Sequence, residues 1–223
     1  MEKYVYDILK VSRLFHNFTT EMLYNIIPSL NVRIEKYAKN EIIFEDKNKV
    51  DLLGVVISGE LCAATMDYNG QENLLQKLHP GYTVGAEIAC TSSQISPFSL
   101  YCLKETELFL FPYKMVYCHG YVTEEERSLL LQNLLDFMAH LNQKRFLKSY
   151  LLSTKSARER IMRYLAEQER MNGTGQFTIS YDREELANYL CLNRSVLSHE
   201  LSNLKKEGFI DFHKNKFSIK GKI

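Results

Sequence analysis

The stretch Asp182–Gly208, DREELANYLCLNRSVLSHELSNLKKEG, reads as two short helices joined by a tight turn. Asp182 with Glu185 three residues later predicts a capping box, each side chain satisfying a backbone N–H that the first helical turn leaves open. Leu186, Ala187 and Leu190 supply an inner face. Ala187 is small at the point where two helices crossing at roughly 90–120° must approach closely, as in a helix-turn-helix. Cys191 and Leu192 form the turn, and Asn193 suits an N-cap. The second helix, Arg194–Lys206, is predicted to bury Val196, Leu197, Leu201 and Leu204. Its other face carries Arg194, Ser195, Ser198, His199, Ser202, Lys205 and Lys206. Short polar groups, an arginine in the first turn and a basic end suit a helix whose N-terminal residues enter a major groove. Arg194 fits guanine O6 and N7, or a phosphate alone; Ser195, Ser198 and His199 reach neighbouring base edges or phosphates. Gly208 supplies a left-handed stop. Phe209–Phe212 and Lys216–Ile219 then alternate as a two-stranded wing around His213-Lys214-Asn215, with Lys214 and Lys216 placed for phosphate.

Upstream, Phe177–Ser180 reads as a short strand, preceded by the turn Asn172-Gly173-Thr174-Gly175. Before it runs an amphipathic helix, Ala157–Arg170, capped by Ser156. Ser153–Ser156 is a polar break and the expected hinge. A long helix precedes the break, opening at Thr123 with Glu126 as a second capping box. Leu130, Leu134, Phe137 and Leu141 form a 4-3-4 stripe, and Leu131, Leu135 and Met138 widen the apolar arc beyond one contact. One side is expected against the N-terminal domain and the other against the same helix of a second subunit, with the stripe as dimerisation residues. Burial within one chain's core is the alternative.

Residues 20 to 27 predict a short helix opened by Thr20 and stopped at Pro28. β-prone runs follow: Val32–Tyr37, Glu41–Phe44, Leu53–Ile57, Leu61–Met66, Leu74–Leu78, Phe98–Leu103 and Glu107–Phe111. Ser58-Gly59-Glu60 and Tyr68-Asn69-Gly70 supply turns. The expected fold class is α+β: an N-terminal β-roll of jelly-roll type with roughly eight strands, a long dimerisation helix and a C-terminal winged helix-turn-helix. The corresponding domains are 1–122, 123–152 and 153–223.

With 223 residues, 45% of them apolar, the chain has enough material for one large core or two modest ones. No run approaches the ~18 apolar residues of a membrane span, and the start MEKYVYDILKVSRLF lacks a signal-peptide cleavage region, so a cytoplasmic protein is expected. The net charge of +1 conceals clustering. Lys144, Arg145, Lys148, Lys155, Arg158, Arg160 and Arg163 form one basic group, and Lys205, Lys206, Lys214, Lys216, Lys220 and Lys222 another. Such groups serve nucleic acid or are ordinary solvated faces. Cys62, Cys90, Cys102, Cys118 and Cys191 lack CxxC spacing and read as free thiols. His16, His79, His119, His140, His199 and His213 make no His-x-His pair followed by a carboxylate, so a cupin-type metal enzyme has no ligand set, and no catalytic function and no metal are expected.

In this order of parts the chain resembles the Crp/Fnr family of bacterial regulators over nearly all its length. The resemblance is carried by Gly54-Val55-Val56-Ile57-Ser58-Gly59-Glu60-Leu61, by the loop His79-Pro80-Gly81-Tyr82-Thr83-Val84-Gly85-Ala86-Glu87-Ile88, and by Arg183–Gly208 with the wing. It implies a homodimer reading a roughly palindromic operator in double-stranded DNA, with RNA polymerase as a further partner. It also implies a small-molecule effector in the β-roll, around Gly85, Ala86, Glu87, Ile88, Ser96 and Ser99, with Arg145 from the long helix. The family's cyclic-AMP branch holds its nucleotide with a Gly-Glu pair and an Arg-Ser/Thr pair. Here Ala86 interrupts the first, and the second reads Ser96-Pro97-Phe98-Ser99, without arginine. A buried phosphate without its cation loses hydration for little return, so the expected effector is not cyclic AMP. The helix pair that would meet the base reads Arg145-Phe146, a second departure. Iron–sulphur sensing needs clustered thiolates, but the first cysteine is Cys62. His79 as a haem ligand would sit in a loop beside Pro80, and no cofactor is expected. The cyclic-AMP regulator's reading helix offers Arg, Glu and a second Arg where this one offers Arg194, Ser195 and His199, which implies a different half-site. A ligand-binding module whose helix-turn-helix contacts protein is the alternative function.

Overall fold

The computed structural model describes residues 2–70, 72–117, 123–173 and 175–220. Cys118, His119, Thr174 and Lys222 lie outside the described residues. The chain divides into two compact units, residues 1–142 and 143–223.

The first unit opens with α1 (Lys3–Val11) and α2 (Thr20–Ser29). Its strands are β1 (Arg33–Tyr37), β2 (Ile42–Phe44), β3 (Leu52–Ser58), β4 (Leu61–Met66), β5 (Glu72–Leu78), β6 (Thr83–Val84), β7 (Ser99–Cys102) and β8 (Thr106–Pro112). Short helices α3 (Ala86–Ala89) and α4 (Lys114–Tyr117) flank the last two strands, and α5 (Glu124–Leu152) follows. The strands form two antiparallel four-stranded sheets, ordered β1-β8-β3-β6 and β2-β7-β4-β5. Between them lies an apolar layer that includes Phe44, Val56, Leu61, Leu78, Leu100 and Leu108. The first sheet is covered on its other side as well: Leu53, Val55, Phe109 and Phe111 pack with Leu9, Phe15 and Ile26. Burial on both faces explains why Leu53–Ile57 and Leu108–Phe111 are near-continuous apolar runs, although successive side chains point to opposite faces.

Two expectations for this unit are corrected. The helix at residue 20 is capped by Thr19, whose side chain accepts from Met22 N, and it runs through Pro28 to Ser29. In the last turn a proline removes only one ladder bond, and the helix closes with Leu30 N–H donating to the Ile27 carbonyl at 3.2 Å. The second correction concerns α5. Thr123 and Glu126 form the expected capping box, but Leu130, Leu134, Phe137 and Leu141 do not form a free seam. All four are buried in the core of their own unit, with Leu14, Phe15 and Phe18. The segment after α1 fills the space beside them, and buried Asn133 donates from Nδ2 to the carbonyls of Leu14 (3.1 Å) and His16 (2.7 Å). Leu131 and Leu135 stay outside, 37% and 72% exposed. α1 and the two-residue β6 were not foreseen, although Val5 and Leu9, four residues apart, mark the buried side of α1.

The second unit contains α6 (Ala157–Asn172), β9 (Gln176–Thr178), α7 (Arg183–Tyr189), α8 (Arg194–Lys206), β10 (Ile210–His213) and β11 (Lys216–Ile219). Ile161 and Leu165 of α6, Leu186, Ala187 and Leu190 from α7 and its cap, and Leu197, Leu201 and Leu204 of α8 form its core, closed by Ile210 and Phe217. Val196 is 39% exposed, against expectation, because the 4-3 spacing of the three leucines already fills the inner face of α8. α8 ends in a Schellman motif: Phe209 N–H donates to the Leu204 carbonyl and Gly208 N–H to that of Lys205, with Gly208 at φ +81°. The wing pairs His213 with Lys216 across a two-residue turn, and β9 adds a third strand beside β11.

Replacing Asn133 by Ala leaves the buried Leu14 carbonyl and the His16 carbonyl without this donor and is expected to destabilise the chain by about 1–3 kcal/mol. Gln132→Ala, on the exposed side of the same turn, is expected to stay within about 0.5 kcal/mol. Urea unfolding midpoints at one fixed protein concentration check the contrast, and equal effects would refute the orientation of α5.

Candidate nucleic-acid interface

α8 presents one polar face. Arg194, Ser195, Ser198, His199 and Ser202 are all exposed, at spacings of one and three residues that keep them together opposite the buried leucines. Asn193 stands at the N-cap, as expected, without a side-chain capping bond. What fixes the start of α8 is the turn before it. Asp182 and Glu185 complete the capping box of α7, Cys191 takes a left-handed φ of +50°, and Leu192 N–H closes onto the Ala187 carbonyl at 2.9 Å.

The basic residues separate into two sets. One set is engaged within the chain. Arg160 donates from Nη1 to the carbonyls of Leu190 and Cys191 and from Nη2 to that of Thr154. Arg158 pairs in a fork with Glu207 and lies over the Phe209 ring. Lys148 sits 4.1 Å from the centroid of Tyr189, and burial lowers its ammonium below the usual lysine range. Arg183 lies over Phe212 and Phe217 and donates to the Lys214 carbonyl at 3.1 Å; burial lowers its pKa too. Lys205, expected to reach DNA, also meets the wing: its Nζ is 2.7 Å from Asp211 Oδ1 and 3.1 Å from the Phe212 carbonyl. Lys206, Lys214 and Lys216 are exposed, the latter two on the wing hairpin as expected. Composition does not separate the sets, but position does: Arg160 directly precedes Ile161 on the buried side of α6.

In the β-roll, Gly85 has φ +79°, and a Cβ there would stand 2.3 Å from the Leu52 carbonyl oxygen, so the tight start of α3 requires glycine. Ala86 and Ile88 are buried, and Glu87 is half-buried. Ser96 is buried and donates from Oγ to the Phe98 carbonyl at 2.6 Å. Ser99 accepts from Asp46 N–H at 3.0 Å. Both hydroxyls are thus engaged with main-chain groups, Ser96 within its own loop and Ser99 with the loop after β2. Arg145 is an exposed residue of α5 in the second unit, away from the loop in the chain. His79 lies 3.7 Å from Glu60, a carboxylate also met by Lys77 and Lys104. Burial raises the thiol pKa of Cys90 and of Cys102, the opposite of an activated thiol. Among the described residues no group of three or more His, Cys, Asp or Glu could hold a metal ion, and no described helix is long and apolar enough to cross a membrane.

The profile of the cyclic nucleotide-binding domain family matches residues 34–117, and that of the Crp-like helix-turn-helix domain family matches residues 159–221. No curated protein matches the chain. Among solved structures, the c-di-GMP-responsive global regulator CLP of Xanthomonas campestris aligns with a TM-score of 0.68 at 16% identity, covering 88% of this chain and 97% of that one. The catabolite activator protein of Thermus thermophilus aligns at 0.55 with 24% identity, over 93% of each chain. CooA of Carboxydothermus hydrogenoformans aligns at 0.62 with 17% identity, over 94% and 95%. The architecture is that of a Crp/Fnr-type transcription regulator. The first match spans the strands β1 to β8 and the second runs from α6 to the wing.

The tie between α8 and the wing carries a pH signature. Lys205, followed by Lys220, holds the Asp211 carboxyl down from its usual 3.8 to about 2. A depressed carboxyl stabilises the fold above its unfolded pKa, and that contribution is lost as pH falls through the folded one. A carboxyl-carbon NMR titration of Asp211 is therefore expected to have its midpoint near 2, and Lys205→Ala to move it back toward 3.8. A midpoint near 3.8 in the unaltered chain would show the tie is not formed in solution.

Proposed function

We propose that this regulator binds a two-fold symmetric DNA operator as a homodimer, with Arg194, Ser195, Ser198 and His199 facing the major groove and Lys214 and Lys216 on flanking phosphates. Asn193, at the start of the helix, is placed at the same surface. The observation that carries the reading is the exposed polar face of α8, headed by Arg194 and backed by three buried leucines. Arg194 is the base reader, since a bidentate guanidinium matches guanine O6 and N7, and the wing lysines add salt-dependent affinity without sequence choice. Where the regulator's reading helix carries a serine and a histidine in place of a carboxylate and a second arginine, the half-site differs from that of the cyclic-AMP regulators.

The β-roll is the effector domain, and its ligand is not cyclic AMP. This is supported by the hydroxyls of Ser96 and Ser99 being engaged with main-chain groups, those of Phe98 and Asp46, and by the absence of arginine from residues 85–99. Gly85, Ala86, Glu87 and Ile88 remain the segment that a ligand in the roll would meet. The dimer forms through the side of α5 that leaves Leu131 and Leu135 exposed. The protein acts in the cytoplasm on DNA together with RNA polymerase, and is not an enzyme.

Selection of bound sequences from random duplex DNA, alone and with cell extract to supply the effector, tests the function; weak, sequence-indifferent binding under every condition would refute it. On a selected site, Arg194→Ala is expected to cost about 1–3 kcal/mol and to relax preference at one base pair, whereas Lys214→Ala should weaken all sequences alike and reduce the salt slope by about 1. Sedimentation is expected to show dimers for the unaltered chain and monomers for Leu135→Asp.

A further inference from the structure

We infer that Arg160 is a positioning residue for DNA reading: its guanidinium ties the linker before α6 to the turn before α8 and so sets how the polar face of α8 is presented. The inference rests on the DNA-reading function proposed above. Arg160 makes three hydrogen bonds to main-chain oxygens, at 2.8 Å to Leu190, 3.2 Å to Cys191 and 2.8 Å to Thr154. The first two carbonyls belong to the C-terminal end of α7, where helix geometry leaves oxygens without intrahelical donors and the dipole favours a cation. The third lies in the Ser153–Ser156 linker, between the end of α5 and the start of α6.

One rigid, planar group therefore bridges two chain segments 36 residues apart at its ends, Thr154 and Leu190. α8 begins three residues after Cys191, a residue already in the left-handed region. With the α7 end held to the linker and to α6, the direction in which α8 leaves the turn follows from the position of the guanidinium. Lysine cannot replace this function, because a point ammonium lacks the planar fork that meets both sites at once. Arg160 faces three protein carbonyls rather than solvent, so its removal should leave the non-specific, charge-driven part of DNA binding in place.

The test uses the full chain and two duplexes of equal length, one selected from random DNA by the unaltered protein and one unselected. Affinity for each is measured across a salt series for the unaltered chain, Arg160→Lys and Arg160→Ala. Both variants are expected to lose at least about tenfold in the ratio of selected to unselected affinity, a change equal to ~1.4 kcal/mol, with unselected binding and its salt slope unchanged. If Arg160→Ala does not fold, Arg160→Lys decides alone. An unchanged ratio in a folded variant overturns the inference, as does a fall in unselected affinity with a shallower slope, which would make Arg160 a phosphate contact. An unaltered chain that selects no sequence overturns the DNA-reading function itself, and this inference with it.

Discussion

Leu197, Leu201 and Leu204 leave water only if α8 lies across α6 and α7, and that constraint decides what the helix can offer on its other side. Burying each leucine is worth about 1.5–3 kcal/mol, more than any single polar contact on the exposed face can offset. Ala187, fully buried, lets the two helices of the motif approach. With the inner face fixed, Arg194, Ser195, Ser198 and His199 have no choice but to face outward, and the Schellman turn at Gly208 directs the chain into the wing. The exposed polar surface of α8 is thus a by-product of core packing.

Charge follows the same logic. A chain with net charge +1 has no general attraction for polyanions, so the placement of its cations matters. Several basic residues of the second unit hold that unit together: Arg158 on Glu207, Arg160 on three carbonyls, Arg183 on two rings, Lys205 on Asp211. Arg194, Lys206, Lys214 and Lys216 are exposed on α8 and the wing hairpin. The structural cations stiffen the frame that carries the exposed ones, and Lys205 anchors the wing to the end of α8.

The β-roll owes its stability to a sheet buried on both sides. β3 and β8 send alternate side chains into the inter-sheet layer and into the layer under α1, α2 and α5. Because α5 contributes Leu130, Leu134, Phe137 and Leu141 to that second layer and Leu151 to the core of the other unit, one helix takes part in both cores. Its start is held by a capping box and its flank by Asn133, so the helix is anchored locally by polar contacts as well as by apolar burial.

What the sequence by itself determined is whatever depends on neighbours in the chain. The capping boxes at Thr123 and Asp182, the strand runs, the stop at Gly208 and the leucine periodicity of α8 are local patterns, readable because caps and turns demand particular residues within four positions. What only the tertiary structure decided depends on contacts distant in sequence. The 4-3-4 stripe of α5 is as apolar as a dimer seam, and only the packing of Leu14, Phe15 and Phe18 assigns it to its own core. Arg160 and Lys205 look like any other cations of a basic helix until Leu190, Thr154 and Asp211 are brought beside them. Periodicity tells which side of a helix is apolar or charged; the partner that meets it is chosen by the fold, because long-range contacts are made in space and leave no spacing in the chain.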